Sequence, residues 1–148
     1  MMRVDKKIKQ IVKSIPGLSY EFNDWTRANV KFDYKKFPVC LYVLPASGVL
    51  SNKNGNFRDY PNVLIAFLDK ADLDFEGEEN EPIVERMKTL AKEFVLAVNN
   101  SRMFEELPED INYRTFYDTT DANLTGVGIE IQLKELVGLC VDKNGKLQ

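Results

Sequence analysis

Two short runs, "FPVCLYVL" (Phe37–Leu44) and "NVLIAFL" (Asn62–Leu68), are apolar on both sides of an extended chain. Successive side chains of a strand point to opposite faces. Val39, Leu41 and Val43 therefore share one face, and Cys40, Tyr42 and Leu44 the other. The same division sets Val63, Ile65 and Phe67 against Leu64, Ala66 and Leu68. Strands of this kind need a cover on each side. A helix of the chain is one expected cover; the second is either another helix or a neighbouring subunit.

Helical spacing supplies candidates. Val4, Ile8, Ile11, Val12 and Ile15 recur on one face, with Lys6, Lys7, Lys9, Gln10 and Lys13 expected outside, and Pro16-Gly17 ends the pattern. A second stripe, Ile83, Met87, Leu90, Ala91, Phe94 and Val98, predicts a longer helix with Pro82 in its first turn. The segment between Leu18 and Lys36 is mixed: "VKFDY" alternates weakly as a short strand, and Trp25 is expected to cap the core, with a place at an interface as the alternative.

Near the C-terminus, "TGVGIEIQLK" (Thr125–Lys134) alternates cleanly, with Val127, Ile129, Ile131 and Leu133 on one face and Gly126, Gly128, Glu130, Gln132 and Lys134 on the other. This is a strand with one buried and one wet face, and its glycines mark a bulge or a close backbone approach. "NYRTFYD" is a strand before it, and a helical turn is expected around Met103–Leu107. The order is helix, two or three strands, helix, two strands. We expect one α+β domain over residues 1–148: an N-terminal helix and an antiparallel sheet of about four strands, with one long helix packed across a face.

Between the two apolar runs lies "PASGVLSNKNGNFRDYP", too long for a tight hairpin turn. Polar loops of this length in a compact domain are usually functional or disordered. Asn52, Lys53, Asn54, Asn56, Phe57 and Arg58 are therefore candidate partner-binding residues, together with the wet row Glu130, Gln132 and Lys134. The acidic stretch "DKADLDFEGEENEP" fits the first positions of a calcium loop through Asp72, Asp74, Glu76 and Gly77. The twelfth position is Ile83 where a bidentate Glu belongs, so the stretch reads as a solvated turn favouring the next helix N-terminus.

Composition narrows the chemistry. With no histidine among 148 residues, Ser-His-Asp and Cys-His systems and most zinc sites drop out. A net charge of −3 provides no large basic field, so non-specific nucleic-acid binding is not favoured; Tyr113, Arg114 and Tyr117 with Lys134 are too few for a charged groove, and no specific nucleic acid is expected as a partner. No apolar run is long enough to span a membrane, and the lysine-rich N-terminal stretch lacks the core of a secretory signal. Cys40 and Cys140 read as buried small hydrophobes, not as a disulfide framework. No cofactor or metal is expected. The enzymatic alternative is a Mg²⁺-dependent nuclease built from Asp118 and the Gln132-x-Lys134 pair.

The N-terminal amphipathic helix, the paired runs around a long polar segment, the acidic entry into "PIVERMKTLAKEFVLAVNNS" and the closing "NYRTFYDTTDANLTGVGIEIQLKELVGLCV" resemble one family over nearly the whole chain. It is that of the tail-terminator, or tail-completion, proteins of long-tailed bacteriophages, including the minor tail protein U type and related prophage neck proteins. The resemblance implies a non-enzymatic α+β subunit forming a homo-oligomeric ring, typically a hexamer. Such a ring caps the tail tube and offers a docking surface to the head connector. It implies assembly in the bacterial host cytoplasm and residence in the virion tail, with a head–tail connector (neck) role as the close variant.

Overall fold

In the computed structural model, residues 2–32, 35–72, 76–119 and 121–147 are described, Asp118 and Thr119 by backbone alone. The elements are α1 (Val4–Lys13), β1 (Ser19–Asp24), α2 (Trp25–Lys31), β2 (Val39–Ser51), β3 (Asn56–Lys70), α3 (Gly77–Ser101), β4 (Tyr113–Thr119), β5 (Leu124–Gln132) and β6 (Leu139–Cys140). The fold is α+β, but the sheet is larger than expected and mixed. Its order is β1-β2-β3-β5-β4, with β6 pairing β3; β1 runs parallel to β2 and the other pairs are antiparallel.

Both covers of the apolar strands come from this chain. On one face α1 and α3 pack over Cys40, Tyr42, Val63, Ile65, Phe67, Val127, Ile129 and Ile131. On the opposite face Ala28 and Phe32 lie with Val39, Leu41, Val43, Ala66, Leu68 and Leu124, and Trp25, Phe37 and Phe116 close the cluster. That second cover is α2, in the segment whose local pattern suggested a strand at "VKFDY". Val30 and Lys31 are helical instead; Asp33 and Tyr34 lie outside the described residues. Asp24 starts the helix, its carboxylate accepting from the Arg27 amide at 2.8 Å, which satisfies a donor the first helical turn leaves open. Trp25, half-buried, sits 5.5 Å from the Phe116 ring.

α3 begins earlier than its stripe suggested. Gly77–Glu81 of the acidic stretch is already helical, so Pro82 lies inside the helix. Glu78 and Glu79 in the first turn complement the positive end of the helix dipole. Asn80, buried, donates to the Glu76 carbonyl and accepts from the Thr125 hydroxyl, tying this end to β5. Beyond α3 the chain is not helical at Met103–Leu107: Phe104 bridges to Glu135 and the Glu105 amide donates to Lys134 O. The glycines of β5 mark a close approach between strands. A Cβ on Gly126 would stand 1.9 Å from the Phe67 carbonyl oxygen, and one on Gly128 would strike the Phe116 ring.

The two cysteines differ. Cys40 is buried, and burial raises its thiol pKa far above the ordinary value. Cys140 is exposed, because β6 lies at the molecule's rim and not in the core. β3 pairs Cys40 through Phe67 and Cys140 through Asn56, so the two thiols are separated by most of a strand, roughly 35 Å at the usual rise.

Candidate partner interface

The polar segment between the apolar runs is not a loop. β2 and β3 continue as an antiparallel ribbon through Ser47↔Asn62, Val49↔Tyr60 and Ser51↔Arg58, beyond a register shift between Val43 and Ser47. Pro45 falls within that shift, where its missing N–H costs no ladder bond. A short turn at Lys53–Gly55 closes the ribbon, and Asn54 and Gly55 take the positive φ values, 56° and 73°, that reverse the chain. Gly48 has no room for a side chain, since a Cβ would stand 2.8 Å from the Pro61 Cα. The result is a β arm extending from the covered part of the sheet.

The arm carries most of the candidate residues on one tip. Asn52, Lys53 and Asn54 are exposed, Asn56 and Arg58 are partly buried, and Phe57 is exposed. Val49 and Leu50, which the sequence reading left unassigned, are also exposed, Leu50 to 77%. β6 pairs the base of the tip through Asn56↔Cys140 and Phe57↔Leu139.

The wet row of β5 is present but internally partnered. Gln132 donates to the Asn62 side chain at 3.1 Å, and Asn62 reaches Ser47. Glu130 is ion-paired with Arg114 across to β4. Lys134 lies over the Tyr60 ring, 5.8 Å from its centroid. These residues form a polar strip running from β4 to the root of the arm, and the tip candidates Asn52, Lys53 and Asn54 lie at the arm's far end. The nuclease geometry is not assembled. Asp118 lies between the Phe116–Gly126 and Thr119–Leu124 pairs, well along β5 from Gln132, a separation of roughly 20 Å; its side chain lies outside the described residues.

On the other side of the arm is an open trough of about 770 Å³, lined by Leu44, Leu50, Phe57, Pro61, Leu139 and Leu147 among others. Glu135, one of its lining residues, meets Lys7 at 2.5 Å, both buried. The second Glu135 oxygen accepts from the Asp59 amide at 2.8 Å, so one carboxylate fastens the arm's base to α1. Lys7 was expected outside. Burial and the Glu135 charge raise the Asp59 pKa, against a lowering by Lys7. Burial, with the charges of Asp59 and Asp5, pushes the Tyr42 phenol up to about 12.

A second groove, about 530 Å³, runs between α3 and β4 over Ala91, Val95, Leu96, Ile111, Tyr113 and Val127. Lys88 at its rim donates to Glu85 and lies over Tyr113, and the first of these contacts chiefly raises its pKa.

Compared with known protein families and with curated proteins, the sequence matches none. No helix among the described residues is long and apolar enough to cross a membrane.

Proposed function

We propose that this chain is a structural assembly protein of a phage or prophage tail, forming a ring that caps the tail tube and joins it to the head connector. The observation carrying this reading is the β arm, an extended ribbon with Val49, Leu50 and Phe57 exposed. Exposed apolar side chains on such an extension cost free energy in water and are relieved by a partner surface. The family resemblance supplies what the partners are: further copies, the tube and the connector. A neck protein is the variant within the same class.

Both covers of the sheet are internal, so ring contacts fall on the arm and the sheet edges and not on the faces of the apolar strands. Light scattering together with electron microscopy of the purified chain tests the reading, alone and with the tail-tube subunits of a long-tailed phage. The expected result is a ring, in solution or at tube ends, and shorter, capped tubes when the protein is added. A chain that stays monomeric and leaves tube length unchanged overturns the proposal.

A further inference from the structure

The sheet has two outer edges, and they are not equivalent. At β1 the Ser19 amide donates to the Pro38 carbonyl, so Ser19 bonds inward and Tyr20 turns its carbonyl outward. The Lys35 ammonium takes that carbonyl at 2.9 Å, a charged side chain occupying the edge. At β4 the Glu130 amide donates to the Asn112 carbonyl. The alternation of an antiparallel ladder then turns the N–H and C=O groups of Tyr113 and Thr115 outward. Among the described strands β4 pairs with β5 alone.

The arm offers a third edge. β1 covers β2 from Val39 to Leu44 and no further. The Leu133 amide bonds Pro61 O, so Pro61 faces β5, and its opposite residue Gly48 faces out, followed by Leu50.

We propose that the arm of one copy adds as an antiparallel strand to β4 of the next, with Leu50 opposite Tyr113 and Gly48 opposite Thr115. This names the subunit contact of the ring and rests on that reading. Three observations favour a second copy as the occupant. In this register the outward groups of both edges coincide, each pair exchanging two hydrogen bonds. Residues opposite one another in a ladder share a face, so Leu50 comes down on the Tyr113 side, into the groove over Ile111, Val95 and Leu96. The same register carries the exposed Lys53 to the exposed Asp110 and Glu109, a match of opposite charge. Because arm and edge are different surfaces, the contact is heterologous and continues from copy to copy until a ring closes.

Cysteine pairing in the full chain carrying Cys140→Ser tests this. Hydrogen-bonded cross-strand partners stand about 5.5 Å apart at Cα, within disulfide range. Leu50 and Tyr113 are both exposed, so substitution there leaves the fold intact. Chains bearing Leu50→Cys mixed with differently tagged chains bearing Tyr113→Cys are expected to form a mixed disulfide under mild oxidation. Leu50→Cys with Thr115→Cys should yield at least several-fold less. Lys53→Glu should weaken association several-fold, and Asp110→Lys should restore it. Efficient disulfides between two Leu50→Cys chains would mean a two-fold contact and overturn the proposal. An oligomeric parent chain with no mixed disulfide overturns this contact while leaving the ring reading standing. A parent chain that remains monomeric with and without tube subunits removes both.

Discussion

The β2–β3 hairpin contains two regions made from the same pair of strands with opposite fates. Val39–Val43 against Leu64–Leu68 is sandwiched between α1 and α3 on one face and α2 on the other. Past the register shift, Ser47–Ser51 against Arg58–Asn62 keeps the ladder but loses both covers, and residues from Pro45 to Leu50 are exposed. Backbone pairing is common to both regions, so it does not decide which becomes core. What decides is whether apolar side chains occupy both parities and whether a helix is available to meet them. An isolated two-stranded ribbon is marginal in water, so the arm needs fastening at its base. Leu133 on Pro61 and Glu135 on Asp59 provide it there, and β6 on Asn56 and Phe57 adds a third strand near the tip.

The sharpest break of this contrast lies in the covered region. Phe94 of α3 is fully buried, its ring 5.5 Å from that of Phe67. Phe94→Asp places an unpaired charge there and should abolish folding, read as loss of the cooperative thermal transition. Phe67→Ala removes the same contact without a charge and should cost about 3–5 kcal/mol in chemical denaturation. Retention of a native transition by Phe94→Asp would show that α3 packs by another face.

Next in size is the fastening itself. Lys7→Ala leaves Glu135 buried without its cation and should cost about 3 kcal/mol or more. Hydrogen exchange at the arm amides should quicken with it, because the Asp59 anchor loosens. A double change, Lys7→Met with Glu135→Leu, should recover much of the loss, since an apolar pair replaces the ionic one. If the single and double variants are equally unstable, the pair does not act as a unit.

This fastening was legible in the sequence, although neither residue was assigned to it. Lys7 falls three residues after Val4 and four before Ile11, squarely within the apolar stripe of α1. Glu135 continues the period of two from Val127 through Leu133, on the buried side. A charge at a core position of each element is a signal for a buried pair. The long helix, the strand from Tyr113, the apolar parts of β2 and β3, and the two faces of β5 from Ile129 onward follow from periodicity and appear as expected; Gly126 and Gly128, expected on the wet face, are instead buried, covered from the α2 side. The arm was hidden because Ser, Gly, Asn and Pro carry no β preference and their pairing is imposed by the adjoining strands. β1 and α2 were hidden because each is short; an Asp N-cap two residues before Thr26 was the available sign. For the candidate site, the tip residues were singled out from turn composition, whereas Val49 and Leu50, exposed in the same segment, were passed over.

In the uncovered region substitutions should spare the fold and spend their effect on association. Leu50→Ser removes a side chain that is 77% exposed, so stability should change by no more than about 0.5 kcal/mol. Oligomer should nevertheless decline at equal protein concentration, measured by sedimentation or light scattering. A large fall in stability would mean that the arm is packed in solution and that the two regions differ less than described.

The smallest effect concerns charge at the junction of the regions. The Asp59 carboxyl is held above its ordinary value by burial and by Glu135, with Lys7 opposing. A carboxyl whose folded pKa exceeds its unfolded pKa binds protons more readily in the folded state. Its favourable contribution is full below the unfolded value and is lost as pH rises through the raised folded value. Asp59→Asn keeps the shape and removes the titration. The variant should melt slightly above the parent at neutral pH, and the gap should narrow as pH falls through the acidic range, where the parent's carboxyl becomes neutral as well. Lys7→Ala should widen the gap, because the cation that tempers the Asp59–Glu135 repulsion is gone. Parallel pH profiles for Asp59→Asn and the parent would place this carboxylate in solvent, and the boundary between the covered and open halves of the hairpin would then lie closer to the core.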